Sequence, residues 1–514
     1  MTESFVLGID LGTSGVKVLL RPTHLSIEDG ETVEATVEYP LSFPHPGWSE
    51  QNPEDWWDGT VRAIRTVLDR GNINGHRIAG LALSGQMHGA TLLDEHGAVL
   101  RPCILWNDQR SAPQCTEILD RVGLAQLLAW VANPALAGFT APKLLWVREH
   151  EPDVYSRVST VFLPKDYINF RLTGERSTEY SDASGTLLFD VAGRRWSDEM
   201  LHAFDIPVRI LPDALPSTAV MGRVSAEAAN LTGLGVGTPV VAGGADNACA
   251  AVGAGIVAPG EVLTSLGTSG TVVAPVASPQ VDPDARLHTF CHTVPDVWYL
   301  MGVVLSAGGS LRWFRDVLAA DVRARAEAEG RDPYDLLMEE AQRVPAGSAR
   351  LIFLPYLTGE RTPHGDAFAR GVFFGLSPAH TRGHLFRSVV EGVTFALADS
   401  AAIMRELGME ITTVNVTGGG ARSPLWRQIL ADIFAARVLL AQGNAGPALG
   451  AAVLAAVGIG AFASVPEAVQ QLGSHDVGLD PRPQFVPLYR SYHALYDSLY
   501  PRLEGSFADL SRLE

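Results

Sequence analysis

Runs of apolar residues that end in glycine-rich turns recur along this chain of 514 residues. The first run, "FVLGIDL", is followed by the turn "GTSG" and by a second run, "VKVLL", so the pattern predicts two strands joined by a tight turn. A phosphate-binding P-loop requires Gly-Lys-Ser/Thr at the start of a helix, whereas Lys17 lies within the second apolar run. The segment therefore predicts a glycine-turn hairpin and not a Walker motif.

Four further apolar runs end in glycine-rich segments, and each predicts a strand with a loop at its carboxyl end. They lie within residues 77–94, 238–255, 298–314 and 412–434. In the last of them Val414 and Val416 alternate as in a strand, and residues 426–434 have the apolar spacing of a helix. In α/β proteins such loops bind ligands, and glycine-rich turns before helices suit phosphate groups.

The pentapeptide Leu-Gly-Thr-Ser-Gly occurs twice, at residues 11–15 and 266–270, with strand-like sequence on both sides of each copy. A repeat at a separation of about half the chain predicts two similar halves, each beginning with a glycine-turn hairpin. We expect an N-terminal domain at residues 1–257 and a C-terminal domain at residues 258–514. The linker would lie near "GIVAPGEV", where proline and glycine end one element.

Composition and charge restrict the classes of partner. The chain has 46% apolar and 19% charged residues, which is typical of a globular protein. Residues 448–465 are uncharged, but their alanine and glycine content favours a buried helix, so no membrane is expected. A formal net charge of −18 disfavours nucleic acid as a partner. The four cysteines form no CxxC pair, which indicates a reducing cytoplasm.

Two aspartates directly follow predicted strands. Asp246 follows "VVAGGA", where it could act on a ligand or cap the helix that starts at Asn247. Asp10 ends the first strand, where it could hold Mg²⁺ through water or stabilise the turn through the amide of Thr13 or Ser14. Residue type alone leaves both alternatives open for both aspartates.

Two other segments place polar side chains at the ends of apolar runs. "SGQMHGA" contains Met87 and His88, and "ILWNDQR" contains Trp106 and Asn107. The imidazole could be a satisfied structural group or could bind a polyol, and an indole beside polar groups suits the C–H face of a sugar. Together with the aspartates and the hydroxyl-bearing turns, these residues suggest phosphate on one side of a site and a polyol on the other.

Longer segments resemble the FGGY family of carbohydrate kinases. The two family signatures are matched by "GFTAPKLLWVREH" at residues 138–150 and by "GVFFGLSPAHTRGHLFRSVVE" at residues 371–391. The resemblance extends over nearly the whole chain, through segments such as "GIDLGTSGVKV", "GQMHGATLLD", "GGADNA", "LPYLTGERTPH" and "GGGARSPLWRQ". The chain departs from the family pattern at Ala245 and Gln109, where relatives often have glycine, and neither change removes a functional side chain.

The resemblance implies the duplicated ribonuclease-H-like α/β fold of actin, Hsp70 and hexokinase, with a five-stranded sheet in each half and a cleft between the halves. It implies ATP and Mg²⁺ as cofactors and D-xylulose as the acceptor that is phosphorylated at its C5 hydroxyl. A homodimer is a candidate assembly. L-ribulose and glycerol remain alternative acceptors, and an actin- or Hsp70-like ATPase without a small acceptor is the alternative outside the sugar kinases.

The same resemblance implies roles for individual residues. Asp246 would be the general base, and Asp10 would hold Mg²⁺ through coordinated water. The residues expected to contact the sugar are Met87, His88, Trp106, Asn107, Asp246 and Asn247. The residues expected to contact the nucleotide are Thr13, Ser14, Gly267, Thr268, Gly308, Gly419, Gly420 and Ser423.

Overall fold

The computed structural model of the protein describes residues 4–25, 33–441, 446–472 and 478–513. The strands, in chain order, are β1 (Phe5–Leu11), β2 (Gly15–Pro22), β3 (Glu34–Glu38), β4 (Glu50–Gln51), β5 (Ile78–Gly85), β6 (Thr91–Leu93), β7 (Cys103–Ile104), β8 (Thr160–Phe162), β9 (Ser177–Glu179), β10 (Phe189–Asp190), β11 (Arg195–Trp196), β12 (Asp213–Leu215), β13 (Val220–Arg223), β14 (Pro239–Ala245), β15 (Glu261–Leu266), β16 (Gly270–Val276), β17 (His288–Cys291), β18 (Trp298–Val304), β19 (Ile352–Leu354), β20 (Val372–Phe374), β21 (Thr413–Thr417) and β22 (Arg437–Leu440).

The α-helices, in chain order, are α1 (Pro53–Arg70), α2 (Ala112–Val122), α3 (Leu124–Val131), α4 (Thr140–His150), α5 (Pro152–Ser156), α6 (Pro164–Thr173), α7 (Tyr180–Ala183), α8 (Asp198–Ala203), α9 (Ala226–Thr232), α10 (Asp246–Gly253), α11 (Gly308–Trp313), α12 (Ala320–Glu329), α13 (Pro333–Gln342), α14 (Arg382–Glu406), α15 (Pro424–Phe434), α16 (Pro447–Gly458), α17 (Val465–Gln470) and α18 (Val486–Leu510).

Two mixed sheets organise the chain, and they repeat the same arrangement. The first has the strand order β13-β14-β5-β1-β2-β3, and the second has the order β17-β18-β16-β15-β21-β22. In each sheet an antiparallel hairpin, β1–β2 or β15–β16, lies beside a parallel strand, β5 or β21. The predicted duplication and both glycine-turn hairpins are therefore confirmed. Each sheet has one strand more than the five expected, because β13 and β17 extend its edge by antiparallel pairing.

Helix α16 links the two halves, because it follows β22 in the chain but packs on the first sheet. It contacts β1, β5 and α10. The approach to β1 is so close that a Cβ atom on Gly8 would lie 1.8 Å from the carbonyl oxygen of Ala448. The expected buried helix is confirmed, and no helix within the described ranges is long and apolar enough to cross a membrane. The domain division at residue 257 stays a prediction. Helix α16 follows that division in the chain, whereas most of the sheet on which it packs precedes it.

The apolar core also extends across the two halves. A single buried cluster contains Leu144 of α4 and Ala245 from the first half together with Phe290 of β17 and Tyr299 of β18 from the second half. Strands β17 and β18 of the second sheet are therefore packed with α4 and the end of β14 of the first half. This packing brings residues from the two halves to one site.

Candidate active site

Three neighbouring parallel strands of the first sheet end at the same edge. Strand β5 lies between β1 and β14 and is parallel to both. Asp10 of β1 pairs with Ser84 of β5, and Gly244 of β14 pairs with the same serine. Asp246 follows Gly244 by two residues, so the two aspartates that the sequence singled out lie at one edge of the sheet.

Burial and mutual repulsion disfavour the charged forms of both carboxyl groups. Burial raises the pKa of Asp246 from its usual value of 3.8 to about 7, with a further contribution from the charge of Asp10. Burial raises the pKa of Asp10 to about 6, while the Ser84 hydroxyl and the charge of Lys17 act in the opposite direction. Both groups therefore change protonation near neutral pH, where a general base is most effective.

The hydrogen bonds of these aspartates differ from those of ordinary cap and turn residues. Oδ1 of Asp246 accepts hydrogen bonds from the backbone N of Asn247 at 2.7 Å and from Nδ2 of Asn247 at 2.8 Å. Helix α10 begins at Asp246 itself, with Ala245 as the preceding residue. Oδ1 of Asp10 is buried and has no hydrogen-bond partner among the described residues. A buried carboxylate oxygen without a donor is suited to a hydrated Mg²⁺ ion.

Three residues that sequence reasoning missed support the loop that carries Asp246. Oγ of Ser181 accepts a hydrogen bond from the backbone N of Ala245 at 2.9 Å and donates one to Oε1 of Glu179 at 2.9 Å. Glu179 is fully buried and lies 3.6 Å from Nζ of the equally buried Lys165. The only signal in the sequence was a lysine within the apolar segment "VFLPKDYINF", which does not reveal its partners.

The turn of the first hairpin is fixed by side chains from three other segments. Nε1 of Trp106 donates to Oγ1 of Thr13 at 3.0 Å, and that hydroxyl donates to Oε1 of Gln86 at 3.1 Å. Nε2 of Gln51 donates to the carbonyl oxygen of Thr13 at 2.7 Å. Ser14 is exposed at the tip of the turn. The structure thus brings Thr13 and Trp106 together, and it adds two glutamines that the sequence did not indicate.

His88 is held as a neutral acceptor on the other side of this region. Nδ1 of His88 lies 2.6 Å from the carbonyl oxygen of Gly185, so Nδ1 carries the proton and donates to it. Burial lowers the pKa of His88 to about 3, and the cation of Lys143 adds to this effect. Nε2 therefore keeps a free lone pair at neutral pH. Met87 is buried beside His88, and the methyl carbon of Met87 would lie 2.9 Å from a Cβ atom built on Gly185.

The remaining two residues expected on the sugar side are partly buried. Asn107 follows Trp106 directly, and its Oδ1 is buried without a hydrogen-bond partner among the described residues. Asn247 lies in the first turn of α10 and contacts Asp246 as described above. An amide group without a partner on its carbonyl oxygen is available to a hydroxyl donor.

A cavity of about 790 Å³ lies in the second half. All six second-half residues expected to contact the nucleotide line it, namely Gly267, Thr268, Gly308, Gly419, Gly420 and Ser423. Thr13 and Ser14 are not among the residues that line it. The remaining walls come mainly from α11, α13 and α15, and they include Arg312, Tyr334, Met338 and Trp426. No motif in the sequence indicated that α13 would contribute to this cavity.

Close packing explains two of the glycines of this cavity. A Cβ on Gly308 would lie 2.5 Å from the carbonyl oxygen of Gly267, and a Cβ on Gly420 would lie 2.4 Å from the ring of Trp426. The turn of the second hairpin is hydrogen-bonded to the start of α11, from the backbone N of Gly308 to the oxygen of Gly267 at 2.8 Å. Nη2 of Arg312 donates to Oγ1 of Thr268 at 3.1 Å and supplies a cation beside the turn. Glycine turns with a nearby arginine suit the phosphates of a nucleotide.

Comparison with known proteins agrees with this geometry. The N-terminal domain of the FGGY family of carbohydrate kinases matches residues 5–253, and the C-terminal domain matches residues 262–459. The chain is 41% identical over 496 residues to a protein named xylulose kinase from Bacillus subtilis, covering 96% of each chain. It is 42% identical over 500 residues to one of the same name from Escherichia coli, covering 96% of this chain and 99% of the relative.

A solved structure gives the same result for the three-dimensional fold. The crystal structure of xylulose kinase from Rhodospirillum rubrum superposes with a TM-score of 0.89 at 33% identity, covering 98% of this chain and 100% of that one. The two domain matches include both hairpins, both sheets and the residues gathered around them. The chain belongs to the FGGY family of carbohydrate kinases.

Proposed function

We propose that this protein transfers the γ-phosphoryl group of ATP to the C5 hydroxyl of D-xylulose. The observation that carries the proposal is the pair of aspartates at one edge of the first sheet, in a family whose members phosphorylate sugars. The names of the relatives, at about 40% identity over nearly the full chain, support D-xylulose as the acceptor. L-ribulose and glycerol are the alternatives that the experiment below separates.

In this proposal Asp246 is the general base. Its pKa of about 7 leaves it ionised in mildly basic solution and still basic enough to accept the proton of the attacking hydroxyl. The hydrogen bonds from Asn247 and the Ser181–Glu179 support hold the carboxylate in place. Phosphoryl transfer depends on positioning and charge stabilisation more than on covalent chemistry, so a fixed base is the protein's main contribution at this end.

Asp10 is the residue we assign to Mg²⁺, through coordinated water. Its orphaned Oδ1 and its place beside Asp246 support the assignment, because carboxylate oxygens are the ligands that Mg²⁺ prefers. When bound, the ion neutralises charge on the phosphates. Asp10 also raises the pKa of Asp246 by repulsion, so a cation at Asp10 would make Asp246 easier to ionise.

The second-half cavity is the site we propose for the nucleotide. Its walls include Gly267, Thr268, Gly308, Gly419, Gly420 and Ser423. In this proposal Thr13 and Ser14 reach the transferred phosphoryl group from the first half. Met87, His88, Trp106, Asn107 and Asn247 form the sugar side. Closure of the halves would exclude water, which is the competing nucleophile. We place the boundary between the halves at residue 257, and the start of the second family domain at residue 262 supports it.

The free and buried state of Cys103, Cys115, Cys249 and Cys291 supports action in the reducing cytoplasm. The net charge of −18 supports small molecules, and not nucleic acid, as partners. A homodimer is the assembly to test, and light scattering on the purified protein would measure it.

The test is a coupled assay of ADP release with D-xylulose, L-ribulose, glycerol and no acceptor. We expect kcat/KM to be highest for D-xylulose, because a site built to bond particular hydroxyls rejects analogues that leave its polar groups unpaired. A higher kcat/KM for L-ribulose or glycerol would overturn the assignment of D-xylulose as the acceptor but not the assignment of the protein as a sugar kinase. Equal ADP release without an acceptor would instead favour an ATPase.

The substitution His88→Ala tests the sugar side within the same assay. Removing the Nε2 acceptor should raise KM for D-xylulose at least about tenfold, which is the scale of one lost hydrogen bond to a buried polar group. The KM for ATP should stay within about twofold, because the nucleotide cavity is lined by second-half residues. If the substitution weakens ATP use and spares the sugar, His88 does not lie on the sugar side.

A further inference from the structure

Arg361 belongs to the second half but reaches the first. It lies in the loop between β19 and β20. Its Nη2 would lie 3.9 Å from a Cβ atom built on Gly138 of the first half. The carbonyl oxygen of Gly138 accepts a hydrogen bond from Nζ of Lys143 at 2.6 Å, and the same ammonium donates to the carbonyl oxygen of His88 at 2.8 Å. The guanidinium therefore adjoins the part of the first half that carries His88.

The backbone around Arg361 is fixed on both sides. Oε1 of Glu360 accepts hydrogen bonds from the backbone N of Arg361 at 2.7 Å and from that of Leu305 at 3.0 Å. The backbone N of Thr362 donates to the carbonyl oxygen of Val303 at 3.1 Å, and the backbone N of Val303 donates to Oγ1 of Thr362 at 3.1 Å. These bonds join the loop to the end of β18, so the backbone that carries Arg361 is held in place.

Helix α18 adds a second support to the same loop. The hydroxyl of Tyr356 donates to that of Tyr496 at 3.0 Å, and the ring of His364 stacks on that of Tyr500 with centroids 3.6 Å apart. The hydroxyl of Tyr500 donates to Oδ2 of Asp366 at 3.0 Å. A loop held this firmly loses little entropy when a ligand binds to it.

The guanidinium of Arg361 is not held by hydrogen bonds within the described part of the chain. Among the residues that the structure describes, none accepts a hydrogen bond from the side chain of Arg361. Burial lowers its pKa, and the neighbouring Glu360 acts in the opposite direction. Arg361 is only partly buried, so its five N–H donors can be reached by an acceptor from outside the protein. A ligand with acceptor oxygens would supply what the protein does not.

The neighbours of Arg361 indicate which end of the acceptor it faces. The guanidinium adjoins Gly138, whose carbonyl oxygen shares the Lys143 ammonium with that of His88, and its charge lowers the pKa of His88 and of His288. The arginine is thus on the His88 side of the sugar region. Because Asp246 is assigned to the hydroxyl that is phosphorylated, the opposite end of the sugar lies toward His88 and Arg361.

We propose that Arg361 binds the keto end of the acceptor, with its N–H groups donating to the C2 carbonyl oxygen while Nε2 of His88 accepts from a neighbouring hydroxyl. A carbonyl oxygen only accepts hydrogen bonds, and a guanidinium only donates them, so the two groups are complementary. A hydroxyketone combines such an acceptor with an adjacent donor. This inference rests on the proposed function, and it makes Arg361 a specificity-determining residue contributed by the half that also carries the nucleotide cavity.

The test compares Arg361→Met and Arg361→Lys with wild type and with Arg370→Met. Arg370 lies in the same loop, is exposed, and among the described residues donates only to the nearby carbonyl oxygens of Ala367 and Ala369. For each protein, steady-state kinetics with D-xylulose and ATP and inhibition by D-xylulose 5-phosphate are measured. The binding of D-xylulose and of its reduced analogue xylitol is measured by titration calorimetry. Circular dichroism and thermal melting check the fold.

We expect Arg361→Met to lower kcat/KM for D-xylulose by about ten- to a hundredfold, which is the scale of a lost hydrogen bond to a charged group. The KM for ATP should change by less than about twofold, and the loss of binding should be larger for D-xylulose than for xylitol. Arg361→Lys should lose less because it keeps the charge, and Arg370→Met should behave as wild type.

Three results would overturn the inference. Near-wild-type kinetics in a folded Arg361→Met enzyme would show that the arginine does not contact the acceptor. Unchanged binding of D-xylulose with weaker inhibition by D-xylulose 5-phosphate would place the guanidinium at the transferred phosphoryl group instead. If wild type neither binds nor phosphorylates D-xylulose, the proposed function and the inference both fail, whereas the first two results leave the proposed function intact.

Discussion

The substitution Asp246→Asn separates a catalytic carboxylate from a structural one. Asparagine keeps the size of the side chain and an Oδ1 atom that can accept the two hydrogen bonds from Asn247, at 2.7 and 2.8 Å. What it loses is the ability to take a proton. If Asp246 is the general base, kcat should fall by about 10²- to 10⁴-fold with the fold intact.

The same change should make the protein more stable, and the magnitude follows from the pKa. Folding raises the pKa of Asp246 from 3.8 to about 7, which at 1.36 kcal/mol for each pH unit corresponds to about 4 kcal/mol against the ionised form. The unfolded chain loses its proton first as the pH rises, so this cost grows between about pH 4 and pH 7 and is complete above pH 7. The figure is an upper bound, because the side chain is only partly buried.

Thermal melting is measured first, on the protein without nucleotide or sugar bound, and kcat is then measured on the same preparation. The variant should melt a few degrees above wild type at pH 8 and at the same temperature near pH 4, while its kcat falls. Asp198→Asn is the matched control, because Asp198 also lies in the first turn of a helix but is exposed. A folded Asp246→Asn enzyme with near-normal kcat would refute the reasoning and favour a structural role for the carboxylate.

Two further predictions concern pH and packing. In wild type, kcat/KM for the sugar should rise with pH through an apparent pKa near 7, because Asp246 must be ionised to accept a proton. A flat profile of kcat/KM between about pH 5.5 and pH 9 would contradict this role. Gly8→Ala should lower the free energy of unfolding by about 1–3 kcal/mol, because the added Cβ would lie 1.8 Å from the Ala448 carbonyl oxygen, where only a backbone shift can make room. Gly505→Ala within α18 is its control and should be neutral or stabilising in the same urea titration, since the added Cβ would meet no other part of the described structure outside its own helix turn.

The sequence by itself determined the features that depend on neighbouring residues. Alternating apolar positions and the two Gly-Thr-Ser-Gly turns predicted the hairpins β1–β2 and β15–β16, and their spacing predicted the duplicated fold. Glycine-rich segments marked the strand ends at which Asp10, Asp246 and the residues of the nucleotide cavity lie. These predictions succeed because turn geometry and strand alternation are decided over a few residues.

Only the tertiary structure decided which distant segments meet. Helix α16 could be recognised as buried, but not as a helix that crosses to the first sheet, because its alanines and glycines fit closely against either. Three sets of contacts have no signal in the local sequence. They are the hydrogen bonds that join Thr13 to Trp106 and Gln86, the hydrogen bond from Ala245 to Ser181, and the approach of Arg361 to Gly138. Each depends on the register of the sheets and on the packing of one half against the other, and such contacts between residues far apart in sequence are fixed only when the whole core assembles.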